Sequence, residues 1–265
     1  MKHLKSRAQD LRSLFEGSIT IEYVAEPLKA VSADADAAEV LQWMVERDFD
    51  VIGIEMGEVI AGYVERSHLN SGKFAKCGDY QQVFHPSELI ASSTPLMKLL
   101  PILQQTPRVF ILDCNQISGI VTCGDLQKAP VRMLLFGLVT LLEMNLLRLV
   151  RLYYPQDSWQ KVLKSERVDA AKRLWRESQL RNEATDLLDY LQFCDKRDLI
   201  LDHSELTQRL ELKSKRGAER FFKSAEQLRN RLAHAQDLVN GSSWTELISL
   251  AEGMEKLLRS CEDIG

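Results

Sequence analysis

Near the end of the chain, Arg229-Asn230-Arg231-Leu232-Ala233-His234 puts a fixed cation, an amide and a titratable imidazole on one stretch of helix. These are the groups that RNA cleavage without a metal requires. The 2′-OH must lose a proton as it attacks phosphorus, charge must be stabilised on the phosphoryl oxygens, and the 5′-oxygen must be protonated. An imidazole titrating near neutrality can be the base or the acid, a role worth about 10² to 10⁴ in rate. Arg229 keeps its charge and offers phosphate oxygens a planar fork of donors. Asn230, one turn before His234, can orient the imidazole or a phosphate oxygen. The Arg229 and His234 positions differ by five residues, about 140° around a helix, so a single helix converges them poorly.

The helix that must carry these groups can be read from its spacing. Phe221, Ala225, Leu228, Leu232 and Ala235 recur between Glu219 and Leu238 as one apolar stripe facing a core. Asn230 and His234 fall opposite that stripe and Arg229 on its flank. A plainer reading stands beside catalysis, because Arg, Asn and His are ordinary on a wet helix face, which Lys223, Glu226 and Gln227 share. A basic run, Lys213, Lys215, Arg216, Arg220 and Lys223, precedes the motif. Such runs are usually solvated faces, but Lys215, Arg216, Arg220 and Lys223 lead into the candidate site and can hold a phosphate backbone. The chain is −4 overall; residues 1–131 carry 12 Lys and Arg against 17 Asp and Glu, and residues 132–265 carry 22 against 21. The acidic first half is the poorer partner for RNA.

The Arg-Asn-x-x-x-His string on a late helix of an all-helical segment resembles the signature of the HEPN (higher eukaryotes and prokaryotes nucleotide-binding) superfamily, over about the last half of the chain. The resemblance implies a metal-independent endoribonuclease needing no catalytic cofactor, with Arg229, Asn230 and His234 as catalytic residues. It further implies a homodimer, in which two such helices about a two-fold axis bring two Arg and two His to one groove. Relatives of this kind act in toxin–antitoxin and phage-defence systems, which implies an RNA substrate and a neutralising or triggering protein partner.

The first half reads as a repeat. Ile19 to Val24 is strand-like, Asp34-Ala35-Asp36 starts a helix through Val40 and Met44, and Val51 to Ile54 turns at Met56-Gly57 into Val59 to Val64. The order returns with Glu88-Leu89-Ile90, a helix with Thr94 as N-cap and Pro95 in its first turn, then Val109 to Leu112 turning at Asp113 to Asn115 into Ile117 to Val121. Gly62 and Gly119 lie 57 residues apart in matching places, the mark of two copies of one unit.

This doubled β-α-β-β pattern resembles a tandem pair of cystathionine β-synthase (CBS) domains, a Bateman module. The second copy carries the likeness, in Gly119-Ile120-Val121-Thr122-Cys123-Gly124-Asp125. The resemblance implies a regulatory site for an adenine nucleotide (AMP, ADP or ATP) built on Gly119, Thr122 and Asp125. A carboxylate can accept from both ribose hydroxyls, and a hydroxyl with backbone N–H groups at a helix start suits phosphate. Thr at a strand end and Asp at a helix start also occur for local capping alone. The first copy reads Gly62-Tyr63-Val64-Glu65-Arg66-Ser67-His68, with Glu65 in place of the hydroxyl and His68 in place of the Asp. One competent nucleotide site is expected.

The whole is expected to be α+β, with a tandem CBS pair over residues 1–130 and an all-α HEPN-like bundle over 131–265. Ala129-Pro130 opens a long apolar helix to about Tyr154; Glu143 and Arg148 interrupt it, so it reads as a buried helix, with no membrane partner. Glu143 either meets the motif or faces solvent. Later helices are expected from Ser165 to Leu180, from Leu187 to Phe193, over the motif, and after a capping box at Ser243 to Glu246. Five scattered cysteines without a Cys-x-x-Cys pair offer no zinc site, and with no leader at the N-terminus they suit the cytoplasm. Two functions remain: an endoribonuclease tuned by the CBS pair, or a non-catalytic RNA- or protein-binding HEPN module with the CBS pair as ligand sensor and dimerisation platform.

Overall fold

The structure, a computed structural model, describes residues 8–181 and 186–264. Its contacts divide the described residues into two compact units, one spanning Phe15–Val131 and the other running from Arg132 onward together with residues 8–14. The described part of 8–14 groups with the helical unit because Leu11 of α1 (Ala8–Ser18) lies against Gly137.

In the first unit, β1 (Glu26–Pro27) and β2 (Ala30–Ser32) precede α2 (Ala37–Glu46), β3 (Val51–Met56), β4 (Val59–Glu65) and the short α3 (Arg66–Leu69). The second copy runs β5 (Leu89–Ala91), α4 (Leu99–Leu103), β6 (Arg108–Asp113) and β7 (Gln116–Thr122). In each copy one strand (β2 or β5) pairs parallel with the second (β3 or β6), and the second antiparallel with the third (β4 or β7), while β1 joins β7 antiparallel, giving sheets of order β2-β3-β4 and β1-β7-β6-β5. The copies share even their irregularity: the register slips after Ile54 in one and after Ile111 in the other. The β-α-β-β repeat read from the sequence is thus present twice.

Local chemistry accounts for the elements. Asp36 caps α2 by accepting from the backbone N–H groups of Ala38 and Glu39 at 2.9 and 3.0 Å. Cys114 and Asn115 both take positive φ, the geometry of a two-residue hairpin turn between β6 and β7. Two expectations are corrected. Ile19 to Val24 is no strand: Ile21 and Val24, three residues apart and both fully buried, anchor a 3-10 turn at Ile21–Tyr23. The helix expected after Thr94 begins later, since Pro95 keeps extended ψ and is followed by a 3-10 turn and the five residues of α4.

Gly62 and Gly119 have a steric reason for being glycine. A Cβ on Gly62 would sit 2.5 Å from the Gln82 carbonyl oxygen, and one on Gly119 2.9 Å from that of Glu26. In both copies a neighbouring backbone lies across the third strand, so the matching glycines mark a structural contact. Gly62→Ala is expected to cost about 1 to 3 kcal/mol through overpacking, read as a lower urea midpoint with unchanged slope. A wild-type midpoint would show that the linker around Gln82 moves away freely.

The second unit is helical: α5 (Ala129–Tyr153), α6 (Ser165–Leu180), α7 (Phe193–Asp202), α8 (Ser204–Arg209), α9 (Lys215–Ala233) and α10 (Trp244–Glu262). No strand follows Thr122 among the described residues. The core centres on Leu142, Leu146, Trp159, Phe193 and Phe222, each 0% exposed. By length and composition α5 is apolar enough to cross a membrane, and 56% of its most apolar window is buried in the protein. The capping box expected at the last helix is there: Ser243 Oγ accepts from the Glu246 N–H at 3.2 Å, and the Glu246 carboxylate accepts from the Ser243 N–H at 2.9 Å. The segment Leu187 to Phe193 holds only a 3-10 turn at Leu187–Tyr190, and α7 and α8, which the periodicity did not reveal, follow it.

Candidate functional site

The motif occupies the C-terminal end of α9, and its helix is shorter than its apolar spacing predicts. It stops at Ala233; the Gln236 N–H reaches the Arg231 carbonyl at 2.9 Å, the Ala235 N–H reaches that of Leu232 at 3.3 Å, and Ala235 takes φ 52°. This is a Schellman ending with alanine at the left-handed position usually given to glycine, at a cost of about 1 kcal/mol. Arg132 secures it by donating to the carbonyls of Arg231 and Gln236 at 3.4 and 3.0 Å. His234 is therefore the last cap of a helix whose end is tied from two sides. The buried stripe is Ala218, Phe222, Ala225 and Leu228, with Phe221 and Leu232 half-buried and Ala235 exposed. Two adjacent phenylalanines left its phase open by one position.

Arg216, Arg220, Lys223, Gln227, Asn230 and His234 are all exposed and fall within roughly 40° of one line along the helix. The four cations proposed for RNA divide: Arg216, Arg220 and Lys223 share this line, while Lys215, also exposed, lies about 100° off it. The imidazole and the amide thus end a polar track that begins with cations.

Arg229 faces inward. Its Nη1 lies 3.3 Å from Glu143 Oε2, and its Nε and Nη2 donate to Asn230 Oδ1 at 3.3 and 3.0 Å. Glu143 in α5 meets the motif, the first of its two sequence alternatives. Its other oxygen takes Lys196 Nζ of α7 at 2.7 Å, and Lys196 is only 5% exposed. One carboxylate serves two cations, so the cluster keeps a net positive charge. Farther along α7, Arg197 lies 3.7 Å from Glu226 of α9, and Arg167 of α6 holds Asp195 and Asp198, each at 2.6 Å. Lys196 escaped the sequence reading; the available signal was a lysine amid the apolar Phe193, Leu199 and Ile200.

In the first unit, the Asp125 carboxylate is occupied. Its Oδ2 accepts from Thr122 N–H at 2.7 Å and from the Thr122 hydroxyl at 3.1 Å, and its Oδ1 lies 2.9 Å from Lys128 Nζ. Lys128 also bonds Glu26 and the Val24 carbonyl; burial works against its charge, but Glu26 and Asp125 outweigh it and raise its pKa. Thr122 and Asp125 therefore form a helix cap, and Gly119 is a packing contact.

The open space lies elsewhere. A cleft of about 680 Å³ is lined by Tyr63, Gln82, Glu88, Gln105, Thr106 and Pro107, among others, so both copies and the linker contribute. Beside it, Arg108 of β6 ion-pairs with Glu65 of the first copy. Its guanidinium packs over the rings of Tyr63 and Phe110, at 5.0 and 5.9 Å, and its Nε is buried without a partner. Burial disfavours the charge of Arg108, yet the Tyr63 hydroxyl and Glu65 raise its pKa; burial likewise opposes ionisation of Glu65, and Arg108 lowers its pKa. Glu65 stands where the second copy has Thr122, and Arg108 pairs in register with Thr122. The departure at Glu65 is thus an internal ion pair between the copies, recognisable in retrospect as a half-buried carboxylate that needed a cation.

Several solved structures similar to this chain are CBS-domain proteins. They include the CBS-pair protein CBSX2 from Arabidopsis thaliana (18% identity, 43% of this chain and 95% of that one, TM-score 0.38) and CBSX2 in complex with AMP (19%, 43% and 97%, 0.38). A CBS-containing hemolysin-like protein of Oenococcus oeni is also similar (13%, 46% and 96%, 0.35). No family model matches the sequence, and no curated relative matches it.

Proposed function

We propose that this chain is a metal-independent endoribonuclease of the HEPN type, active as a homodimer, whose first unit is a CBS pair sensing an adenine nucleotide. The reading rests above all on His234: an exposed imidazole at a braced helix end, in line with Asn230 and a cationic track, with Arg229 five residues before it. His234 transfers the proton, Arg229 stabilises the phosphoryl charge and Asn230 orients. Because Arg229 turns toward Glu143 while His234 faces outward, the working site is composite, with guanidinium and imidazole meeting across two copies of α9. Toxin or phage-defence action follows from the same family resemblance. The test is cleavage of single-stranded RNA in EDTA, leaving 2′,3′-cyclic phosphate ends. The second reading, a non-catalytic RNA- or protein-binding module, is favoured by one observation: the donors of Arg229 are already engaged by Glu143 and Asn230.

For the CBS pair, the inter-copy cleft beside an incompletely satisfied arginine supports a small anionic ligand, and AMP is what one similar structure contains. AMP at 100 times its dissociation constant is expected to stabilise the protein by about 2.7 kcal/mol, seen as a rise in unfolding temperature. Arg108→Met is expected to remove the rise, because it takes away the arginine that stands beside the cleft with an unsatisfied Nε. Absence of any rise with AMP, ADP or ATP would leave the pair as a dimerisation platform without a nucleotide.

A further inference from the structure

We propose that the cleft between α9 and α10 is a nucleobase pocket, into which a single-stranded RNA lying on the cationic track turns one of its bases. This deepens the RNA-cleavage reading and rests on it. The cleft is about 480 Å³, with Phe221 and Leu228 among its apolar walls and Ser224, Gln227 and Thr245 among its polar ones. Arg220 and Gln227 belong both to the cleft and to the exposed line that ends at Asn230 and His234. A strand held by its phosphates along that line therefore passes the mouth of the cleft before it reaches the motif. Phe221 also lines a second, smaller cleft of about 260 Å³, so the ring stands between two cavities, seated on the α10 backbone at Gly253.

The chemistry fits a base better than another phosphate. Single-stranded RNA is read by stacking bases on aromatic rings and hydrogen-bonding their edges, and an amide with two hydroxyls supplies both donors and acceptors. The charged residues in the lining are partly committed. Arg231 donates to the carbonyls of Leu238 and Asn240 at 2.8 and 2.7 Å, and Glu246 closes the Ser243 cap. Arg220, at the mouth, has no ion-pair partner among the described residues and is left for the backbone of the strand.

The test uses 2′-O-methyl RNA 12-mers, which cannot undergo 2′-OH attack, in a base-bearing and an abasic form, with binding to the full chain followed by fluorescence anisotropy. The base-bearing strand is expected to bind about tenfold tighter or more. Ser249→Trp, which plugs the cleft from an exposed rim position, and Phe221→Leu, which removes the ring, should each abolish the difference and leave abasic binding unchanged. Equal binding of both strands by wild type would overturn the pocket while leaving a backbone-binding nuclease intact. A difference that survives both substitutions would place base recognition elsewhere. Binding of neither strand would remove the pocket together with the RNA reading.

Discussion

Replacing His234 by alanine is expected to lower RNA cleavage in EDTA by about 10² to 10⁴-fold, the ordinary worth of a general acid or base. The expectation follows from where the imidazole stands. It is exposed, and no hydrogen bond of its ring occurs among the described residues, so it is not a core histidine whose loss acts through folding. The backbone around it is fixed independently of its side chain, by the Schellman bonds of Ala235 and Gln236 and by Arg132. His234→Ala should therefore keep the wild-type unfolding midpoint, and the rate loss can be read as chemistry. His234→Gln, which keeps hydrogen bonding but cannot titrate, should lose as much. Cleavage by His234→Ala at the wild-type rate would end the nuclease assignment and leave the binding-module reading.

Local signals in the sequence carried much of this organisation, and long-range ones did not. The doubled β-α-β-β order was visible because turns at Met56-Gly57 and Asp113 to Asn115, the Asp36 cap and the paired glycines act within a few residues. The capping box at Ser243 was visible for the same reason. Ile19 to Val24 failed because an apolar spacing of three and an extended run share the residues Ile21 and Val24, and packing decided between them. The end of α9 failed because its apolar positions continue past Ala233, whereas a left-handed alanine, with Arg132 acting from a distance, stops the helix. The internal use of Asp125 by Lys128, and of Glu65 by Arg108, depends on partners that only the folded chain brings near. The motif's residue types were legible. What fixes Arg229 was only half legible, since Glu143 stood open between two fates and Lys196 gave no periodic signal.

That missing partner leads to the second large effect. Lys196→Met keeps most of the side-chain stem but deletes the ammonium 2.7 Å from Glu143, leaving a carboxylate only 21% exposed with Arg229 as its remaining cation. Breaking a buried ion pair on one side costs about 3 to 5 kcal/mol. The surviving Arg229 contact offsets part of this, so the expected loss is about 2 to 3 kcal/mol, read from the urea midpoint. The double variant Glu143→Leu with Lys196→Met removes both charges and should regain most of the stability, since two apolar groups of similar size replace a buried pair at little cost. Cleavage, which Lys196→Met is expected to lower by loosening Glu143, should not return with it, because Arg229 then lacks the carboxylate that holds its guanidinium. This split separates the two roles of the cluster: packing would restore both properties together, whereas positioning restores only the first. If Lys196→Met unfolds at the wild-type midpoint, the lysine does not brace Glu143. If the double variant cleaves like wild type, Arg229 needs no support from α5.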